Sequence, residues 1–136
     1  MPAAYEELLA FLLAHLTQPV EQHADADGAL MMTSGEPGEI IVWLTDSHVS
    51  VAEYAVRWHT PSEPTVDPIE IGTVAWNAIS EDAALRAVRT LLAAAREARL
   101  SKFRVCGICE RSMPPEWMHD DGVCQRCAEQ AHEVVH

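Results

Sequence analysis

The cysteines are the residues of this chain whose type and spacing are best suited to chemistry. The chain has four, and they form two C-x-x-C pairs, Cys106 with Cys109 and Cys124 with Cys127, separated by fourteen residues. In a C-x-x-C turn both sulfurs can point the same way, about 3.5–4 Å apart, which suits two corners of a tetrahedral metal with metal–sulfur distances near 2.3 Å. Two such turns complete the tetrahedron. The spacing therefore predicts a closed, structural four-thiolate site with Zn²⁺ as its cofactor.

Two other uses of the cysteines compete with zinc: a redox C-x-x-C motif and an iron site. A thioredoxin-type motif follows a strand within a βαβ unit, and neither pair stands in that context. His119, His132 and His136 are further candidate ligands near the pairs, and the last two are four residues apart.

The segments around the cysteines carry a resemblance to a known class of site. Phe103–Cys109 predicts a first knuckle, in which Gly107 would take the positive φ that such turns often need. Residues 110–123 predict a hairpin or loop. A helix is then expected to begin at the second pair, where its free N–H groups would stabilise thiolates. This order resembles treble-clef or zinc-ribbon four-cysteine fingers over residues 103–136, which implies metal binding without a particular activity.

A narrower resemblance concerns the long helix that precedes the finger. A long helix, a C-x-x-C pair, a proline-containing loop, a second pair and a terminal helix are similar to the finger of the DksA/TraR regulators of RNA polymerase. The match is limited to the four cysteines, and residues 1–102 depart from that family's coiled coil.

A candidate partner surface surrounds the first knuckle and the loop after it. It consists of Trp117, Met118, Arg99, Lys102, Arg104 and Arg111. Tryptophan is enriched at binding hot spots, although packing under a small finger is its commoner role, and packing is the interpretation favoured here. The basic side chains could contact phosphate or pair with the acidic remainder of the chain, and their proximity to so many acids favours pairing.

The elements that must position this finger predict an α+β fold. Apolar periodicity predicts helices over 3–17 and 81–102, and Ser80 is expected to cap the second. Alternating or β-rich runs predict a small antiparallel sheet of about three strands, residues 29–34, 39–45 and 69–77, with Gly72 at a bulge. The predicted domains are an acidic α+β domain, 1–102, and a finger, 103–136, docked on the last helix.

Three segments are harder to assign. Residues 18–28 are polar and acidic and predict a loop, and the three prolines in 60–68 predict another. Residues 49–59 are ambiguous, because side chains alternate as in a strand while Ser50-x-x-Glu53 forms a capping box. The capping box favours a short helix over 51–59.

Charge limits the classes of function. The formal net charge is −12, and residues 1–80 carry twelve acids and one base, which disfavours general affinity for nucleic acid. No recognised enzyme motif occurs, so no catalytic residue is predicted. Cysteines kept as thiolates predict a cytoplasmic location, and no membrane-spanning segment is expected.

Two functions of different class remain. The first is a non-enzymatic adaptor or regulator whose partner is another protein. The alternative is a nucleic-acid-associated regulator that uses the basic helix end and the finger. The wide apolar face of helix 3–17 is expected to pack in the core, with a homodimer surface as its alternative.

Overall fold

The structure, a computed structural model, describes residues 3–60, 63–119 and 122–134. The chain divides into two compact units, Met1–Arg99 (unit 1) and Leu100–His136 (unit 2). In chain order the elements are α1 (Ala3–His15), β1 (Val20–Ala24), β2 (Leu30–Ser34), β3 (Ile40–Leu44), β4 (Val49–Glu53), β5 (Val56–Thr60), β6 (Glu63–Val66), β7 (Ile69–Val74), α2 (Glu81–Leu100), β8 (Arg104–Val105), β9 (Ser112–Met113) and α3 (Gln125–Val134). Short 3-10 turns precede α2 and α3.

A five-stranded antiparallel sheet with strand order β1-β2-β3-β4-β7 organises unit 1. The β2–β3 hairpin closes through the turn between Ser34 and Glu39, where the Glu39 amide donates to the Ser34 carbonyl at 2.7 Å. β5 and β6 form a separate two-stranded ribbon. The predicted α+β class is confirmed, and the sheet has five strands where about three were expected.

One face of this sheet forms the core together with α1 and α2. Alternate residues of the central strands point to this face, because side chains alternate along a strand. Met32, Val42 and Val51 follow one another across three strands and are fully buried. α1 contributes Leu8, Leu12 and Leu16 to the same core, and α2 contributes Ala84, Val88, Leu92 and Ala95. The core packing predicted for helix 3–17 is therefore present.

α1 and α2 begin at one end of the sheet and end at the other. Near their beginnings, the Tyr5 ring of α1 packs against the ring of Trp76, which shortly precedes α2, and the two ring centroids are 6.3 Å apart. Near their ends, the Ser34 hydroxyl donates to the Thr17 carbonyl just after α1, and Arg96 of α2 pairs with Glu39. The helices therefore run in the same direction, and the positive ends of their dipoles lie close together.

The helix predicted over 51–59 is wrong, and that segment forms β4 and β5. The capping box is a local signal, whereas β4 lies between β3 and β7 and gains two ladders of hydrogen bonds. Glu53, which would have closed the box, is instead buried on the core face. Tertiary burial has therefore outweighed the local helix signal.

Both predicted loops contain strands that were missed. β1 lies within residues 18–28, and four of its five side chains are exposed. β6 lies within residues 60–68, and all of its side chains are exposed. Neither strand has an apolar alternation, because neither buries a face. Pro61 also belongs to the predicted loop but lies outside the described residues.

The predicted cap of α2 and the predicted bulge at Gly72 agree with the structure. α2 begins one residue after Ser80, whose hydroxyl accepts the Ala83 amide at 3.2 Å, so the predicted cap is confirmed. The β4–β7 ladder shifts its register between Val51 and Ala52, opposite Gly72, where a bulge was expected. A Cβ at Gly72 would lie 2.8 Å from the Leu91 side chain, so glycine lets α2 approach the sheet closely. None of the helices in these described ranges is both long and apolar enough to cross a bilayer.

Arg99 lies in the last turn of α2 and is buried, with 2% of its surface exposed. Its Nε donates to the Gly38 carbonyl at 2.9 Å, and its guanidinium lies 5.1 Å from the Tyr54 ring centroid. Gly38 is needed here, because a Cβ would lie 2.5 Å from that ring. Glu53, which is also buried, pairs in the sheet with Ile40, two residues after Gly38. Arg99 therefore stabilises one corner of unit 1 and does not belong to the exposed partner surface predicted from the sequence.

We expect Arg99→Ala to destabilise unit 1 by about 2–4 kcal/mol, because it removes a charged hydrogen bond and a cation–π contact from a desolvated corner. Arg96→Ala is the matched control, since Arg96 lies one turn earlier and its side chain is 54% exposed in its ion pair with Glu39. That control should cost less than about 1 kcal/mol. Urea unfolding followed by circular dichroism measures both. Equal losses would contradict a special role for the buried guanidinium.

The adjacent beginnings of α1 and α2 bring two carboxyl groups together. The pKa of Glu81 is raised above 4.5. A hydrogen bond between Glu7 and Glu81 is the largest cause, and Coulombic repulsion between the two groups is the next. The folded chain therefore holds this proton more tightly than the unfolded chain. The resulting contribution to stability is present below pH 4.5 and is lost as the pH rises through the raised pKa.

We expect Glu7→Gln to lower the pKa of Glu81, because glutamine carries no charge and can donate a hydrogen bond to the carboxylate. An NMR titration of the glutamate side-chain carboxyl signals measures the change. Glu6→Gln is the control, since Glu6 is exposed on the same turn of α1 and is not among the groups that shift Glu81. The proposed coupling is wrong if both variants move the Glu81 titration equally.

Candidate metal centre

The first pair of cysteines lies in a tight turn that follows β8. Strands β8 and β9 pair antiparallel, and the Cys106 amide donates to the Arg111 carbonyl, which closes the hairpin around the knuckle. The Cys106 carbonyl accepts the Glu110 amide at 2.9 Å. Glu110 takes the positive φ of 61° that the sequence had assigned to Gly107. Gly107 instead permits a close approach, because a Cβ there would lie 3.3 Å from the Gly122 carbonyl oxygen that accepts its amide at 2.7 Å.

The second pair lies at the beginning of α3, as predicted. Cys124 immediately precedes the helix, and Cys127 lies in its first turn. The Ala128 amide donates to the Cys124 carbonyl at 2.9 Å, which begins the helical ladder. A bridge between Met118 and Cys124 connects the loop to the helix start. The knuckle, the following loop and the ligand-bearing helix are therefore present in the predicted order. The hairpin encloses the knuckle, with β8 before it and β9 after it, whereas residues 110–123 were expected to form a hairpin or loop of their own.

These two elements bring the four cysteines into one cluster. Their Sγ atoms all lie within 4.8 Å of one another. A tetrahedral thiolate site with metal–sulfur distances near 2.3 Å requires sulfurs about 3.8 Å apart, so small side-chain rotations would complete it. Cys106, Cys124 and Cys127 are buried, and Cys109 is exposed. Among the described residues, these four cysteines are the group of three or more potential metal ligands whose ligand atoms lie close together.

The Cys106 sulfur is held in a cradle of backbone amides. It accepts the amides of Ile108 at 3.4 Å, Cys109 at 3.5 Å and Cys124 at 3.5 Å. These N–H groups, with that of Cys124 contributing most, lower the pKa of the Cys106 thiol from 9.0 to about 6. The cradle therefore stabilises a thiolate, which is the form that binds metals.

Cys127 is shifted in the opposite direction. The pKa of the Cys127 thiol is raised to about 12. Its hydrogen bond to Cys124 is the largest cause, and burial is the next. Four thiolates this close would repel one another strongly without a cation. A bound dication would relieve this repulsion for the whole set, because it coordinates thiolates directly. The residues present thus fit a metal ion through both their donor chemistry and their spacing.

The cluster also supplies most of the core of unit 2. The buried residues of that core are Met113 and three of the cysteines, with Met118 and Val123 packed against them. So small an apolar cluster stabilises a fold weakly, and small domains of this kind commonly depend on a structural metal.

The histidines considered as further ligands do not join the cluster among the described residues. His119 is exposed and its amide donates to the Val123 carbonyl at 2.8 Å. His132 lies in α3, but its side chain is not described, and His136 lies outside the described residues.

The other members of the candidate partner surface have different environments in unit 2. Trp117 is 44% exposed, contrary to the favoured packed position, whereas Met118 is half-buried against the cysteine cluster. Lys102, Arg104 and Arg111 are exposed. Arg104 turns back to its own backbone and donates to the Ser101 and Phe103 carbonyls.

Arg126 is a basic residue that the sequence analysis missed. It lines a pocket of about 370 Å³ together with Arg111 and Trp117 at the beginning of α3. The sequence does indicate Arg126 as a candidate, because it lies between Cys124 and Cys127 in the first turn of the expected helix. The sequence does not indicate that Arg126 and Arg111 line the same pocket, since the whole loop separates the two residues in the chain.

Comparisons with known proteins identified no relative. A scan against protein-family models, a search of curated proteins and a search of solved structures each found no match for this chain.

We expect removal of bound metal to unfold unit 2, because apparent metal-binding energies of about 10–16 kcal/mol are typical of structural thiolate sites in small finger peptides. In an NMR spectrum, chelation should collapse the amide signals of residues 103–134 and leave those of the β-sheet of unit 1. Cys106→Ser should have the same effect. Ser112→Ala, an exposed substitution on β9 that removes no ligand, is the control. An unchanged spectrum after verified loss of metal would contradict a structural site.

Proposed function

We propose that this chain is a non-enzymatic, zinc-binding protein-interaction adaptor or regulator. In it, a zinc ion held by Cys106, Cys109, Cys124 and Cys127 would fix the intervening loop as a binding surface. Zinc is the metal favoured by four thiolates in this geometry, since hard cations such as Mg²⁺ prefer oxygen ligands. A cytoplasmic location is part of this proposal, because a reducing compartment keeps the thiols available.

The single observation that carries the proposal is the exposure of Trp117. The side chain is 44% exposed although it belongs to a loop held at both ends by the cysteine cluster. A 3-10 turn, Pro115–Trp117, rigidifies the backbone, and the Gln125 side chain donates to the Glu116 carbonyl at 3.2 Å. A large aromatic side chain on a rigid segment loses little conformational entropy on binding, which suits a hot spot.

Structural metal binding is better supported than metal catalysis. Four protein ligands complete the usual coordination of zinc, whereas catalytic zinc sites keep a position for water or substrate. Three of the four cysteines are also buried, which restricts approach to the site.

A nucleic-acid-associated regulator is the second candidate, and one observation favours it. Arg111, Arg126 and Trp117 line the same pocket, so phosphate contacts and base stacking could occur side by side. Charge weakens this candidate. Residues 100–136 contain six acids and four bases, and a zinc ion with four thiolates would add two further negative charges.

A homodimer through α1 is not part of the proposal. Leu8, Leu12 and Leu16, which would form its apolar surface, are already buried in the core of unit 1.

We expect Trp117→Ala to remove the partner protein recovered with the full-length chain, because truncating a hot-spot aromatic costs about 2–4 kcal/mol of binding, or roughly thirtyfold or more in affinity. Trp58→Ala is a closely matched control, since Trp58 is 43% exposed on β5 of unit 1. Affinity capture with zinc-loaded protein, followed by quantitative mass spectrometry, compares the three forms.

The proposal is supported if specific proteins are lost with Trp117→Ala and kept with Trp58→Ala. Loss with both variants, or with neither, would contradict it. A parallel titration with single-stranded oligonucleotide at low and high salt tests the second candidate. Salt-sensitive binding that Arg111→Ala weakens would favour the nucleic-acid regulator over the adaptor.

A further inference from the structure

A pocket of about 340 Å³ opens in unit 1 where α1 and α2 begin. Its volume lies at the lower end of the range typical of ligand pockets. Its apolar surface comes from α1, from the 3-10 turn before α2, and from the first turns of α2. These apolar lining residues are Ala4, Leu8, Trp76, Ile79, Ala84 and Leu85. The pocket is unrelated to the cysteine cluster, which lies in unit 2.

The floor of this pocket is well fixed. Trp76 is 6% exposed, and its indole Nε1 donates to the Thr45 carbonyl at 3.0 Å. Leu8 and Ala84 are buried members of the core of unit 1. Ile79 differs from them, because it is 46% exposed at the opening. A large exposed aliphatic side chain beside a fixed apolar floor offers a contact that water satisfies poorly.

The edge of the pocket is acidic. Asp46 and Glu81 line it directly, and Glu7 forms a hydrogen bond with Glu81. Among the described lining residues none is basic. The helix dipoles favour acids at the beginning of each helix, which accounts for Glu81. They do not account for Asp46, which lies in the β3–β4 turn.

The two carboxyl groups of Glu7 and Glu81 also lie close enough to repel each other. Their arrangement raises the pKa of Glu81 rather than stabilising two negative charges. A cation placed between them and Asp46 would relieve this repulsion, while an anion would add to it. The positive ends of the two helix dipoles oppose a cation here, but each is equivalent to only about half a unit charge, whereas the edge carries three carboxyl groups. The edge therefore favours positive charge, and the floor favours an apolar group.

We propose that this pocket docks a basic, amphipathic segment of a partner protein, with an apolar side chain on the Trp76 floor and lysine or arginine side chains on the Asp46, Glu7 and Glu81 edge. Charge complementarity selects this occupant. Unit 1 carries fifteen acids and five bases, so its field also attracts a basic segment before contact. The inference rests on the proposed function only in taking the partner to be a protein, since the surface is in unit 1.

The test uses the full-length, zinc-loaded chain and a short capped peptide with a central leucine between lysines. Binding is followed by NMR chemical-shift changes and by calorimetry. We expect shifts centred on Leu8, Trp76, Ile79 and Leu85, and weaker binding at higher salt. Exchanging the lysines for glutamates, or the leucine for serine, should abolish the shifts.

Two pairs of variants make the test specific. Ile79→Ala should weaken peptide binding by about threefold to tenfold through lost apolar contact, whereas Ile69→Ala, at a site 45% exposed on β7, should not. Glu81→Gln should weaken it by about twofold to fivefold. Glu63→Gln removes the same charge from β6 and should leave affinity unchanged.

Several results would overturn the inference. Absence of shifts at the pocket with millimolar peptide is one. Equal losses for Glu81→Gln and Glu63→Gln would show a general charge effect. Binding of a simple alkylamine as tight as the peptide would assign the pocket to a small cationic ligand, and self-association abolished by Ile79→Ala would assign it to a second copy of the chain.

The same experiment separates this inference from the proposed function. Trp117→Ala should leave peptide binding unchanged, because Trp117 lies in unit 2. Peptide binding without any Trp117-dependent partner would sink the proposed function and support the inference. A Trp117-dependent partner without peptide binding at the pocket would support the proposed function and contradict the inference.

Discussion

Unit 2 depends on the convergence of four sulfur atoms, because it has little else to hold it together. Among its described residues, the buried cluster consists of three cysteines and Met113, and the two short strands pair over only two residues each. The same sulfurs would repel one another as thiolates, and a bound cation would remove this repulsion. A metal ion held by the proposed site would therefore supply both a core and a charge balance. A loop fixed in this way could leave the aromatic side chain of Trp117 in solvent.

Unit 1 is stabilised by a different constraint, the covering of one sheet face by two helices that run in the same direction. This arrangement brings the positive ends of two dipoles together, and acidic side chains gather there in response. At the opposite end, the core closes on charged groups, with Arg99 buried between the Gly38 carbonyl and the Tyr54 ring. One end of unit 1 is therefore an acidic, partly open pocket, and the other is a sealed polar corner.

Sequence patterns predicted those elements whose local signal agreed with their burial. α1, the β2–β3 hairpin and α2 each bury an apolar stripe or face, so periodicity identified them. β1 and β6 were missed because their side chains are exposed and carry no alternation. The segment containing β4 was assigned to the wrong class, because a capping box is visible along the chain whereas partners on both sides of a strand are not. The environment of Arg99 was missed for the same reason, since its partners Gly38 and Tyr54 lie 61 and 45 residues away in the chain.

The sequence by itself determined the candidate metal site of this protein, because the residue type and short-range spacing of two C-x-x-C pairs suit one cluster of four thiolates. It also determined the α+β class and the acidic charge. Only the tertiary structure decided which basic residues remain accessible, burying Arg99 and placing Arg126 beside Arg111. It alone brought Asp46 to the same pocket as Glu81, with Glu7 hydrogen-bonded to Glu81, since these residues come from three segments far apart in the chain. Long-range packing creates such juxtapositions, and no local pattern encodes them.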